Sequence, residues 1–128
     1  MAKLFIQLAA LNGALAVMIG AFGAHALKAR LTPELLSVYE TGVQYHFWHA
    51  LALLAIGILA YQLPDSRTLM ASGIAFLVGI ILFSGSLYLL ASTELRHIGF
   101  MPVGLITPFG GMSFIIGWLL LLFSSFKI

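Results

Sequence analysis

The chain has 128 residues, of which 62% are hydrophobic and only 8% charged, and its formal net charge is +2. A soluble domain carries about 25% charged residues, so this composition excludes an ordinary soluble globule and indicates an integral membrane protein. The positive charges form no basic run, which argues against nucleic acid as a partner, and the absence of cysteine excludes disulfides and thiolate metal sites.

Four apolar segments follow one another along the chain, each near the roughly 20 residues that a membrane-spanning helix needs. They cover residues 4–27, 43–63, 69–91 and 101–124. All ten charged side chains lie outside them: Lys3, Lys28, Arg30, Glu34, Glu40, Asp65, Arg67, Glu94, Arg96 and Lys127. No segment alternates polar and apolar residues, which excludes a β-barrel. The sequence therefore predicts an all-α membrane protein, a single domain over residues 1–128 whose four transmembrane helices form an up-down bundle.

The first apolar segment is too long for the core of a signal peptide, and no clear cleavage site follows it, so we expect it to remain as a span. It carries small residues about four apart, which let another helix approach closely. They are Ala9, Gly13, Ala16, Gly20 and Ala24. We expect this ridge to face protein rather than lipid.

A short amphipathic stretch over residues 31–42 joins the first two spans. Thr32 as N-cap, Pro33 at the first helical position and Glu34 in the first turn form a strong helix start. We therefore predict a short amphipathic interfacial helix between helices 1 and 2, which meets the second span with a bend near Gly42. One straight helix from Pro33 to the end of that span would be about 46 Å long, more than the apolar layer requires.

The connection between helices 2 and 3 and the start of helix 4 each predict a feature of the bundle. Residues 64–66 form a tight turn, so helices 2 and 3 should be antiparallel neighbours. The fourth segment contains two prolines. Helix 4 therefore either begins near Pro102 and kinks at Pro108, or follows a short irregular segment that dips into the protein.

Two of the four histidines, His46 and His49, lie three residues apart and share one face of helix 2. Residues 50–63 provide only about 21 Å of helix, so the span must begin near Val43. Both imidazoles then lie inside the membrane boundary. An ionisable side chain at that depth is a functional candidate.

Further polar and aromatic residues lie at the same end of the predicted bundle, because an up-down topology brings alternate helix ends together. The predicted polar or ligand layer consists of His25, Tyr45, His46, His49, Ser84, Ser86, Tyr88 and Thr107, with Glu94 and Pro108 beside them. We expect His49 to point inward and to bond to helix 1 or helix 4, with His25 or the backbone near Thr107 as its leading partner.

Four motifs occur in order along nearly the whole chain: GAFGAHAL from Gly20, YETGVQYHFWHALALL from Tyr39, FSGSLYLL from Phe83 and TPFGGMSFIIGW from Thr107. They resemble the domain-of-unknown-function 423 family of small four-helix bacterial inner-membrane proteins. The resemblance implies this fold, a multi-pass location in the inner membrane and cytoplasmic termini. It carries no catalytic residue across, and His46 lies outside the family pattern.

The layer has several interpretations. One is a belt of interfacial aromatic and polar residues. A metal or haem site would use His25, His46 and His49 as candidate ligands, although the spacing of three is not diagnostic. A conduit would need several copies, because no carboxylate or base crosses the midplane. Catalysis on a lipid or quinone would need a serine beside a histidine.

We expect a non-enzymatic accessory, assembly or interaction subunit that binds no cofactor. Its partners are the lipid bilayer and, as open options, further copies of itself or a larger membrane complex. An oligomeric conduit for protons, ions or a small solute is the alternative, and histidine-based metal or haem binding is the further one.

Overall fold

The computed structural model describes residues 1–93, 97–98 and 101–128. The first span is helix α1 (Ala2–Phe22) with a wider π-helical turn at its end (Gly23–Leu27). The second is α2 (Pro33–Leu59), and the third consists of α3 (Arg67–Gly79), a second π-helical turn (Ile80–Ser84) and α4 (Gly85–Ser92). Strands β1 (His97–Ile98) and β2 (Met101–Pro102) pair antiparallel ahead of α5 (Val103–Ser125).

Four helical stretches within the described residues are long and apolar enough to cross a membrane. They are Ala2–Leu27, Pro33–Leu59, Arg67–Ser92 and Val103–Ser125. This confirms the all-α class with four candidate transmembrane helices. A short strand pair lies in the last connection and leaves that class unchanged.

The amphipathic stretch is helical, but it is not a separate helix. It is continuous with the second span in α2, which runs through Gly42 without interruption. The N-cap is as predicted, since Thr32 Oγ1 accepts the N–H of Leu35 at 3.3 Å. Tyr39 is only 4% exposed, and a Cβ placed on Gly42 would lie 2.9 Å from Tyr88 Cε1. The first turns of α2 therefore pack on α4 and the first π-helical turn, and this contact keeps the helix in line.

Of the two possibilities for the fourth span, the structure has the helix that begins near Pro102, and a kink at Pro108 stays a prediction. α5 begins directly after Pro102 and contains Pro108 in its second turn. Proline has no N–H, so the carbonyl of Gly104 loses its usual helical donor. The start of α5 is held against the third span, because a Cβ on Gly110 would collide with the backbone of Phe83.

The bundle is held together by glycines that face rings on neighbouring helices. α1 packs chiefly on α2, and α3 packs chiefly on α5. A Cβ added to any of these glycines would collide with the ring opposite. The pairs are Gly73 with Phe5, Gly79 with Phe114, Gly117 with Phe76 and Gly23 with Tyr39. The main apolar core, which includes Leu53, Ile56, Leu69 and Phe76, lies between these contacts.

The small-residue ridge of α1 faces α2 along only part of its length. Ala9 and Ala16 are buried, and a Cβ on Gly20 would lie 3.0 Å from Val43 Cγ1. Ala24 is exposed, and nothing lies within 4 Å of a Cβ placed on Gly13. The prediction that the ridge faces protein is therefore confirmed for Ala9, Ala16 and Gly20, and it is wrong for Gly13 and Ala24.

The glycine contacts give a direct test with a control in the same helix. Replacing Gly110 by Ala should destabilise the bundle by about 1–3 kcal/mol, because the methyl group has to displace the Phe83 backbone. Gly104→Ala should be neutral or slightly stabilising, since open space surrounds its Cβ position. Thermal unfolding in detergent, followed by circular dichroism, measures both. Equal effects at the two positions would contradict the assigned contact.

Candidate functional site

His46 lies in the centre of the bundle and bonds to two other helices. Its side chain is 4% exposed, with Nδ1 2.9 Å from the Tyr88 hydroxyl and Nε2 3.1 Å from Asn12 Oδ1. Asn12 Nδ2 donates to the Leu8 carbonyl at 2.8 Å, so the amide oxygen faces the imidazole. His46 Nε2–H therefore donates to Asn12. In the neutral ring, which burial favours, Nδ1 accepts the Tyr88 O–H. The ring joins α1, α2 and α4.

His49 has the opposite tautomer and joins α2 to α5. Its Nδ1 lies 2.7 Å from the Tyr45 carbonyl oxygen, which only accepts, so Nδ1 carries the hydrogen. The indole N–H of Trp118 then donates to Nε2 at 3.1 Å. The ring of Phe114 stacks on the imidazole, with centroids 3.6 Å apart and planes 9° from parallel. Both nitrogens of the buried ring are thus satisfied in the neutral form.

His49 points inward and bonds to the fourth span, as expected, but both leading partners were wrong. The partner is Trp118, about three helical turns beyond Thr107. Thr107 instead pairs with Ser86, whose Oγ lies 2.6 Å from Thr107 Oγ1. The sequence offered little to identify Trp118, because an indole in an apolar segment is equally consistent with a lipid-facing side chain.

His25 does not join the other histidines. It lies in the first π-helical turn and is exposed. Gly23 and Leu27, which share one side of that turn, are buried, so His25 projects from the other side. The residue of α1 that bonds to a histidine is instead Asn12, the partner of His46. Glu94 lies outside the described residues.

The two serines of the predicted layer are both buried, but their surroundings differ. Ser86 Oγ donates to the Phe83 carbonyl at 2.8 Å, so the Thr107 hydroxyl donates to Ser86 Oγ in turn. Ser84 Oγ is buried and makes no hydrogen bond in the described part of the chain. Since neither serine bonds to a histidine there, the geometry contains no serine nucleophile with an adjacent base.

The histidines are poorly placed for a metal. His46 and His49 use both ring nitrogens in bonds to protein groups, so a metal ion would have to displace one of these partners. The described residues contain no cluster of three or more His, Cys, Asp or Glu side chains that could hold an ion. His25 is exposed and does not join these two histidines. The donor set therefore does not fit a metal or haem site.

An aromatic groove of about 590 Å³ opens between α2 and α5 beside His49. Five aromatic rings line it, from Tyr45, Trp48, Phe83, Phe114 and Trp118. Tyr45 is half-buried, and its ring centroid lies 4.5 Å from that of Phe83. The groove is almost wholly apolar and is suited to an acyl chain rather than to a polar substrate.

Comparison with known proteins places the chain among small membrane proteins. A family model described as "Protein of unknown function (DUF423)" matches residues 19–111. The UPF0382 membrane protein YwdK of Bacillus subtilis is 43% identical over 125 residues, covering 98% of each chain. The UPF0382 membrane protein SSP2132 of Staphylococcus saprophyticus is 46% identical over 128 residues, covering 98% of this chain and 99% of that one.

A third bacterium has a similar protein. A UPF0382 membrane protein of Haemophilus influenzae is 42% identical over 123 residues, covering 96% of this chain and 94% of its own. No solved structure matches the chain.

The His49–Trp118 bond can be measured by a double-mutant cycle with His49→Leu and Trp118→Phe. We expect a coupling energy of about 0.6–1.7 kcal/mol, the average and upper values for hydrogen bonds between membrane helices. Trp48→Phe is the control, because Trp48 is 52% exposed and makes no hydrogen bond to the described residues. Coupling indistinguishable from zero in thermal unfolding would contradict the bond.

His49→Gln separates a structural role from metal binding. Glutamine still offers a donor and an acceptor, so this variant should keep much of the stability that His49→Leu loses. Loss of a bound metal or of a metal absorbance band in His49→Gln would contradict the structural role.

Proposed function

We propose a function from one premise: the chain belongs to the DUF423 family and is a membrane protein. On this premise it acts as a non-enzymatic interaction subunit of the bacterial inner membrane, and it meets its partner through the outer surface of α1 and α2. One contrast carries the proposal. The histidines at the bundle centre bond inward, whereas Gln44 on the outside of α2 is exposed and makes no hydrogen bond to the described residues.

The interior supports a non-enzymatic role. His46 and His49 are neutral, have both nitrogens occupied and lie apart from Ser84 and Ser86 in the hydrogen-bond network. A general base needs a free lone pair within reach of its substrate. The bonds of these histidines instead hold neighbouring helices together, which is a structural role.

Gln44 lies where an unpaired amide is costly. A span of about 20 residues counted back from Leu59 begins near Glu40, so Gln44 lies about one turn inside the apolar layer. Glutamine side chains at such depth commonly hydrogen-bond to another helix. A carboxamide both donates and accepts, so it can pair with the same residue of a second copy across a twofold axis.

The surface beside Gln44 has room for another helix. A groove of about 310 Å³ between α1 and α2 is lined by Gly20, Ala21, Gln44 and Phe47 among others. A second groove of about 220 Å³ contains Gly13 and also reaches Phe47. Small residues allow close backbone approach, and the 38% exposed ring of Phe47 can fill the equivalent groove of a partner. Both features favour a second copy of the chain.

The conduit alternative has less support. Asn12, His46 and Tyr88 belong to three different helices, and their bonds run across the bundle at one level. A proton or ion path needs polar groups at successive depths along the membrane normal. These bonds instead favour fixed helix positions.

Self-association can be tested by cysteine cross-linking, because the chain has no native cysteine. Under mild oxidation of native membranes, Gln44→Cys and Gly13→Cys should each give a disulfide-linked dimer. Ile81→Cys is the control, since this residue is 69% exposed on the third span and lines neither of the two grooves between α1 and α2. A dimer from Ile81→Cys alone, or none from Gln44→Cys, would contradict the proposed face.

The contribution of the amide itself is measured by adding Gln44→Leu to Gly13→Cys. Removal of the amide pair should reduce the yield of cross-linked dimer several-fold. An unchanged yield would show that Gln44 does not pair between copies.

The orientation is a separate part of the proposal. Four spans place both termini on one side, and we propose that this side is the cytoplasm. Lysine and arginine tie at three on each side, so the family resemblance supports this choice. Alkaline phosphatase fused after Ile128 should be inactive, and fused after Arg30 it should be active. The reverse pattern would invert the orientation and leave the four spans unchanged.

A further inference from the structure

The third span contains a buried hydroxyl group that the packing of the bundle leaves unused. Ser84 is fully buried, and its Oγ makes no hydrogen bond in the described part of the chain. A buried polar group without a partner destabilises a fold, and in native structures it commonly bonds to an internal water or an ion. Ser84 is thus a candidate for holding a small polar molecule.

The backbone at Ser84 is also irregular. Ser84 is the last residue of the second π-helical turn, in which the Gly85 N–H bonds to the Ile80 carbonyl. A π-helical turn inserts one residue and interrupts the regular ladder of helical hydrogen bonds. Such interruptions occur where a side chain or a water molecule enters the ladder. The unbonded Ser84 hydroxyl therefore lies where the ladder of helical hydrogen bonds is interrupted.

The polar side chain nearest to Ser84 in the chain is satisfied within the protein. Ser86 Oγ donates to the Phe83 carbonyl at 2.8 Å, whereas Ser84 Oγ makes no hydrogen bond in the described part of the chain. The protein therefore provides a partner for Ser86 and none for Ser84 among the described residues.

The third span touches α5 directly beside Ser84. A Cβ on Gly110 would collide with the backbone of Phe83, the residue that precedes Ser84. Within a membrane, irregular backbone is tolerated where it is buried in protein or meets water.

We propose that Ser84 Oγ binds an internal water molecule at the crossing of the third span with α5, and that this water also bonds to a backbone carbonyl freed by the second π-helical turn. The ligand is neutral, because neither residues 69–91 nor residues 101–124 contain a carboxylate that would balance a cation. The water completes the polar contacts of this crossing and is independent of the proposed partner surface.

The first experiment compares Ser84→Ala with Ser72→Ala. Ser72 is equally buried in the same span, and its Oγ donates to the Gly117 carbonyl at 2.7 Å. If Ser84 holds water, both variants lose a bonded hydroxyl, and both should lower the melting temperature by similar amounts. An unchanged or raised melting temperature in Ser84→Ala alone would overturn the proposal, because removal of an unbonded hydroxyl relieves a penalty.

The second experiment detects the water in the wild-type chain and so does not depend on a variant that folds. Water-to-protein magnetisation transfer by NMR should give a signal at the amides of Ser84 and Gly85, and no such signal at Ser72. Absence of the Ser84 signal would overturn the proposal. The melting temperature should also be the same in sodium chloride and in choline chloride. A rise specific to sodium that Ser84→Ala removes would assign the site to a cation instead of water.

Discussion

The apolar layer of a membrane offers no bulk water, so a polar group inside it needs a partner in the protein or an internal water molecule. This constraint explains the centre of the bundle. His46 bonds to Asn12 and Tyr88, and His49 bonds to Tyr45 and Trp118, each as a neutral ring with a defined tautomer. His46 and His49, which were functional candidates in the sequence, therefore act as connectors between helices.

The glycines make these bonds geometrically possible. The absence of a side chain on Gly42 lets the Tyr88 ring lie against α2, from where its hydroxyl reaches His46. In the same way Gly79 admits the Phe114 ring, which stacks on His49. Apolar packing and polar bonding thus depend on the same close helix contacts. A larger residue at one of these glycines would disturb both.

The sequence determined the spans because a roughly 30 Å apolar layer sets the length and composition of any helix that crosses it. It also indicated that His49 points inward, since an imidazole facing lipid would lose its hydrogen bonds. The helix start at Thr32 followed from the local chemistry of capping. Each of these features depends either on residues close together in the chain or on the membrane around it. None of them requires knowledge of the fold.

Only the tertiary structure decided which polar residues meet. His25 and His49 lie on the same side of the membrane by topology, yet helix rotation leaves His25 exposed and places Trp118 beside His49. Likewise α2 continues through Gly42 because Tyr88 packs there, although the local sequence favoured a bend. Topology sets the depth of a residue, whereas the rotation of each helix about its axis is set by contacts between side chains far apart in sequence.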